Sequence, residues 1–414
     1  MINFRKSKWT SLFFSNFLGV YNDNLLKNSV IFIAVGWTLP SWLNQSQLIA
    51  IVSGCLVIPY VFLSPYGGRL SVRYSKLKIF RLFKLLELPI MLVACIAFYY
   101  QWIYLAVFSV LLMGTQSSLY SPSKYSLIRD IGGEEGVSFG SGVFEMMAFL
   151  GILIGTITAS FISDNYSPEL LFTFFMGLAL VGYVVTRQIK ATELPEEQTD
   201  SLKMDPIRFL IESYRFGHKH DPVNSAVFGA SSFWLIGSIL QMNLVIHTKN
   251  IYQATNSTTG IIMAIVAIGI AAGCWTAGKI SGNTVNKGLI LTGLSGMIIT
   301  LAALAFLKTE IYLYAVLVFL TAFSGGIFQI PNLSMLQNAG LGRKLGDMIA
   351  YLNLVTFVFI LSGAFLFSLT TSLFNQNSYL VFGLILVICI LVGIYFLLKS
   401  PVYLAEMLKT LKLK

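Results

Sequence analysis

Charge is scarce in this chain. Only 11% of its 414 residues are Asp, Glu, Lys or Arg, where a soluble domain carries about 25%. That scarcity argues against a soluble enzyme, and with a mean hydropathy of +0.76 it makes lipid the expected solvent. Acid is the rarer sign, 18 Asp and Glu against 28 Lys and Arg, a net charge of +10. No soluble segment is large enough to use that excess in a nucleic-acid-binding domain. Histidine numbers three. His218 and His220 form an HxH without a third ligand, and HExxH is absent, so neither a metal nor a cofactor is expected. The four cysteines, Cys55, Cys95, Cys274 and Cys389, are scattered through apolar runs without a CxxC and read as inert thiols. There is no GxxxxGK[ST], which argues against ATP-driven transport, and no GxSxG, so the chain is not expected to be an enzyme.

Long apolar runs are plentiful. A spanning helix needs roughly 20 mostly apolar residues, and twelve such runs cover 9–37, 45–65, 79–100, 102–129, 137–163, 169–188, 226–249, 259–281, 288–307, 310–338, 345–373 and 378–398. The expected fold class is an all-α membrane protein, twelve transmembrane helices in two six-helix bundles. The first run has basic residues before it, as a signal peptide would. It continues to Trp37 without a small-residue cleavage site, so it reads as the first span. Arg5, Lys6 and Lys8, then Arg69, Arg73, Lys76 and Lys78, lie on one side, whereas "TLPSWLNQSQ" and "YYQW" on the other have no charge. The positive-inside rule then puts both termini in the cytoplasm.

The most polar connection runs from Lys190 to Asp221. The expected domains are an N-terminal bundle over 1–189, a cytoplasmic linker over 190–225, a C-terminal bundle over 226–398 and a basic tail over 399–414. Within the linker, Ile207, Leu210, Ile211 and Tyr214 recur at helical spacing, the pattern of an interfacial amphipathic helix; a plain solvated linker is the alternative. "KSPVYLAEMLKTLKLK" suggests a second such helix. The halves repeat faintly. Aligning Gly19 with Gly237 sets Asp23 opposite Gln241, and "SPSKYSLI" resembles "IPNLSMLQ". "GSGVFEMMAFLGILIG" shares its starting Gly and length with "GDMIAYLNLVTFVFILSG". Related halves are a common transporter plan.

Polar residues interrupt the apolar runs. A charge at the bilayer centre costs at least about 2.5–3.5 kcal/mol, so such residues usually face a bundle interior or a wet cavity. In "GVYNDNLLKNS", Asp23 and Lys27 join Asn16 on one helical face, with Asn24 and Asn28 beside it and Phe14, Leu18 and Leu25 opposite. The competing reading is that Asp23 and Lys27 merely neutralise each other at i, i+4. In "GTQSSLYSPSKYSLIRD", Ser117, Ser121 and Lys124 share a face, and Pro122 is expected to open the backbone locally. Lys124 suits a phosphate or carboxylate, or else a buried acid. Ser138, Ser141 and Glu145 share another face. Lys84 and Glu87, at i, i+3, read as a structural pair. The second half is nearly uncharged, with Gln241, Asn243, Gln329, Asn332 and Gln337 in place of ions.

At these residues the chain resembles the major facilitator superfamily, and within it the bacterial lysophospholipid transporter (LplT) group. It is also similar to the membrane half of fused 2-acylglycerophosphoethanolamine acyltransferase/acyl-carrier-protein synthetase proteins. The matching pieces are "FLGVYNDNLLKN", "YSPSKYSLI", "SGVFEMMAFLGILIGT", "SSFW", "AIVAIGIAAG" and "GGIFQIPNLSMLQ". The resemblance implies a lysophospholipid flippase of the bacterial inner membrane working by alternating access. It carries over Asp23, Asn24 and Lys124 as substrate-binding residues, and Lys27 and Glu145 from part of the group. Gln241 and Asn332 complete the candidate substrate-binding set. In the group a basic residue stands at the position of Gln241. The loop "GGRLSVRYSKLK" matches the superfamily's G-x3-D-R-x-G, except that Val72 replaces the Asp and Ser75 the Gly. Sixteen residues follow Leu398, so acylation is expected to belong to a separate acyltransferase. Lysophospholipid, membrane lipid and a coupling cation (Na or H) are the expected partners of a monomer. Two other readings are an ion-coupled transporter of another small solute or drug, with Asp23 or Glu145 as proton site, and a non-transporting scaffold for an acyltransferase.

Overall fold

The computed structural model describes residues 7–37, 39–41, 43, 45–164, 166–196, 205–375 and 377–411. Arg5 and Lys6 of the basic tail, and linker residues 197–204, lie outside them. The described residues form helices and short connections, with no strand among them.

The helices are α1 (Ser7–Phe32), α2 (Gln45–Arg73), α3 (Lys76–Tyr99), α4 (Ile103–Asp164), α5 (Pro168–Arg187), α6 (Pro206–Lys219), α7 (Val223–Tyr252), α8 (Asn256–Ser281), α9 (Gly288–Phe306), α10 (Ile311–Gln337), α11 (Leu345–Leu373), α12 (Ser378–Lys399) and α13 (Val402–Thr410). Among the described residues ten helical stretches are long and apolar enough to cross a membrane. The 62-residue α4 breaks at Gly133, whose φ of 61° and ψ of −163° leave the helical region. Only glycine reaches that conformation without strain. Two of the expected crossings, 102–129 and 137–163, therefore flank a glycine corner beside exposed Glu134 and Glu135. The first span, α1, is the polar one. With these, the twelve expected crossings are accounted for.

Local sequence sets the helix starts. Ser75, Ser167, Thr255 and Asn377 cap α3, α5, α8 and α12 by accepting a backbone N–H, which satisfies donors that have no intrahelical partner. The structure departs from expectation in two places. The first helix ends at Phe32 and passes into a 3-10 turn over Ala34–Gly36, short of Trp37. Pro122 does not open α4, whose non-helical residue is Gly133. Ser126 Oγ donates an i−4 back-bond to the Pro122 carbonyl at 2.7 Å, and the helix continues through the proline.

Two compact units divide the chain. The first comprises Met1–Gly133, Leu150–Arg215 and Leu341–Leu354; the second comprises Glu134–Phe149, Phe216–Gly340 and Val355–Lys414. In the first, α1 and α3 both pack on α5, over a core that includes Leu25, Leu26, Met91, Phe98 and Phe175. In the second, α10 packs on α7, α8 and α9, and α9 also contacts α12 and α13. The linker pattern is a real helix, α6, with Ile207, Ile211 and Tyr214 exposed and Phe209 buried. The tail helix is α13, with Tyr403 buried.

Candidate functional site

Small residues bring the first helix into place. A Cβ on Gly151 would lie 2.9 Å from the Phe17 carbonyl oxygen, and one on Gly155 2.6 Å from that of Tyr21. These two glycines, four apart, let the second part of α4 lie directly on the α1 backbone, the small-xxx-small device of membrane helices. Asn28 Nδ2 donates to Thr156 Oγ1 at 2.8 Å, and the Tyr21 and Thr158 hydroxyls bond at 2.9 Å. The rotation of α1 is thereby held, and with it the direction of its polar residues.

Asp23 and Lys27 form no ion pair with each other among the described residues, so mutual neutralisation is not why the two charges are there. Asp23 instead accepts from Ser117 Oγ at 3.2 Å, across to α4. Two turns further along α4, Lys124 Nζ donates to Asn16 Oδ1 of α1 at 3.0 Å. The Lys124 ammonium also stands 5.5 Å from the ring centroid of Tyr120 and 5.4 Å from that of Tyr125, within cation–π range. The expected stripe, Asn16 and Asp23, thus meets the expected α4 face, Ser117 and Lys124. Asp23, Lys27 and Lys124 are all partly buried. Asn24 Nδ2 turns back to the Val20 carbonyl of its own helix. Ser121 accepts from Asn353 Nδ2 at 3.2 Å.

A buried ion pair adjoins this contact. Lys84 and Glu87 are each 1% exposed, with Lys84 Nζ 2.6 Å from Glu87 Oε2. Asn22, fully buried, donates to Glu87 Oε1 at 2.7 Å. The pairing expected at i, i+3 is present, but it is also tied to α1 through the residue beside Asp23. Asn22, Gly19 and Tyr120 belong to this environment, and periodicity does not single them out. Asn22 falls off the Asn16–Asp23–Lys27 face, and only the docking of α3 reveals its partner.

The remaining candidates lie in the second unit. Glu145 is buried on the α4 segment whose Gly142 sits against Cys274 and Gly278 of α8. Gln241 is exposed on α7. Asn332 is fully buried, packed so tightly on α7 that a Cβ at Gly229 would collide with its side chain. No cluster of three or more His, Cys, Asp or Glu that could hold a metal occurs among the described residues.

Residues 12–358 match the family model described as Major Facilitator Superfamily. The chain belongs to this superfamily. Curated relatives from two bacteria are both named Lysophospholipid transporter LplT. The protein from Photorhabdus laumondii is 25% identical over 336 residues, 79% of each chain. The one from Serratia proteamaculans is 23% identical over 346 residues, 82% of each chain. Among solved structures, the human organic anion transporter MFSD10 matches with a TM-score of 0.73 at 12% identity, covering 94% of this chain and 98% of its own. The transporter FucP in its outward conformation matches with a TM-score of 0.72 at 12% identity and the same coverage. These two likenesses establish the fold. The expected class therefore stands: an all-α, multi-pass membrane protein of the major facilitator fold.

Proposed function

We propose that this chain is a secondary transporter, a flippase, that moves lysophospholipids across the bacterial inner membrane by alternating access. The observation that carries the reading is the Asp23–Ser117 and Lys124–Asn16 contact between α1 and α4. It holds one carboxylate and one ammonium, both partly open, within an apolar bundle. Similarity to proteins named lysophospholipid transporters over about four fifths of the chain supports the substrate class. A lysophospholipid carries a phosphate, suited to the Lys124 ammonium, and in the ethanolamine form an ammonium, suited to Asp23. Its single acyl chain stays in lipid while the head crosses. Asn24 and Lys27 serve the same headgroup from the first unit. Glu145, Gln241 and Asn332 are further substrate-binding residues.

The rest of the assignment follows from the same reading. Residues 1–189 and 226–398 are the two six-helix bundles, 190–225 the cytoplasmic linker and 399–414 a cytoplasmic tail. Both termini face the cytoplasm because the Lys and Arg bias lies there. The working unit is a monomer coupled to Na or H, and its product feeds a separate acyltransferase.

The test is uptake of radiolabelled lysophosphatidylethanolamine into proteoliposomes containing the purified full chain. Asp23→Asn, which keeps shape and hydrogen bonding but removes charge, should abolish most uptake. Asp23→Glu should keep part of it. Wild-type uptake by Asp23→Asn, at equal reconstitution and across headgroups, would overturn the charged-site reading.

A further inference from the structure

Asp23 and Lys124 already supply one acid and one base for a headgroup. A second ammonium stands close by. The Lys84 Nζ lies where a Cβ on Gly19 would come within 2.7 Å of it, and the Tyr120 hydroxyl is 3.7 Å from that same point. Gly19 is one helical turn before Asp23. The Tyr120 ring, in turn, carries the Lys124 ammonium. Two lysines therefore flank one tyrosine beside one turn of α1. Left alone, they would present two positive charges to the head, a site suited to an anion.

Glu87 changes that balance. Its Oε2 takes the Lys84 ammonium at 2.6 Å, and its Oε1 is occupied by Asn22 at 2.7 Å. The slot for the pair is cleared by two glycines, Gly19 and Gly182, the latter with its Cβ position 3.5 Å from Lys84 Nζ. Both carboxylate oxygens are used and both ions are 1% exposed, so water and salt screen the pair little. In so apolar a setting a net charge is felt several ångströms away.

We infer that Glu87 determines headgroup specificity: by pairing with Lys84 it cancels one positive charge beside the Asp23–Ser117 and Lys124–Asn16 hydrogen bonds and favours zwitterionic over anionic lysophospholipids. The inference rests on the proposed transport of lysophospholipids and names which of them the site prefers. Lys27, one turn beyond Asp23, does not alter the direction of the argument. Removing the Glu87 charge adds one net positive charge whatever Lys27 contributes.

The experiment measures kcat/KM for lysophosphatidylethanolamine and lysophosphatidylglycerol of equal chain length, with the full chain in proteoliposomes. Glu87→Gln should shift the ratio toward the glycerol headgroup by about tenfold, equivalent to one step of about 1.4 kcal/mol. Lys84→Met should shift it the other way, and Lys84→Met/Glu87→Gln should return it to the wild-type value. A pair with only a structural role would lower the melting temperature in the single variants and leave the ratio unmoved, which overturns the inference, as would shifts of equal sign. The double variant leaves no buried charge unpaired and folds where a single one does not. If only the double variant is recovered, the wild-type preference decides: a preference for the ethanolamine headgroup that the double variant keeps supports the inference, and a preference for the glycerol headgroup, or a changed ratio in the double variant, overturns it. A wild-type protein that moves neither lysolipid brings down the transport reading itself. One that moves both, with ratios indifferent to these charges, brings down only the role of Glu87.

Discussion

Lys124 illustrates how a single side chain separates function from support. It is half-buried, bonded to Asn16 and stacked against two tyrosine rings, so it is held in place yet open enough for a phosphate to reach. Lys124→Ala should impair lysolipid uptake strongly while thermal unfolding in detergent moves little. If Lys124 were instead the counter-ion of a buried acid, its loss would cost about 3–5 kcal/mol. Its melting temperature would then fall and be restored by neutralising that acid. The contrast is Leu25, fully buried in the apolar core of the first unit. Leu25→Asn puts an unpaired amide there, and the same melting experiment should show a large loss without any change of headgroup preference. Asp23 and Lys124 are legible as residues in the sequence because a charge in an apolar run is conspicuous. Asn22 is not, since its neighbour Asp23 accounts for the same conspicuous stretch.

Helix α1 is polar enough to be a poor membrane helix by composition, and it is held by contacts rather than by hydropathy. Gly151 and Gly155 admit its backbone, and a side chain there would meet the Phe17 and Tyr21 carbonyl oxygens. Backbone cannot yield as a side chain can, so overpacking at such a site costs typically about 1–3 kcal/mol. Gly155→Leu should therefore lower the melting temperature and reduce uptake by displacing Asp23 from Ser117. Gly177→Leu on α5, where a Cβ meets nothing within 4 Å, is the matched control and should change neither. The glycines are plain in the stretch "GILIG" itself. Which helix they admit is not, because a glycine pattern marks a close approach without naming its partner.

For the whole molecule the testable statement is topology. A cysteine at Tyr312, 83% exposed, and one at Leu194, 51% exposed, lie on opposite sides of the membrane if the Lys and Arg bias sets orientation. With the four native cysteines replaced, Tyr312→Cys should react with an impermeant maleimide in intact cells. Leu194→Cys should react only after permeabilisation. Labelling of Leu194→Cys from outside would reverse the orientation and move the linker out of the cytoplasm.

Composition and run length are enough to establish the all-α membrane class and the number of crossings, because lipid leaves a chain few ways to satisfy its backbone other than helices of bilayer length. Periodicity is enough to put Asn16 with Asp23 and Ser117 with Lys124, because residues seven apart on one helix share a face. Neither can bring the two faces together. That Asp23 meets Ser117 rather than Lys27, that Asn22 is engaged by Glu87, and that Lys84 lies over Gly19 depend on how α1, α3 and α4 pack. Helix rotation and partner choice are decided by side-chain fit between segments far apart in the chain. The hydropathy of each segment, read alone, contains no term for its neighbours.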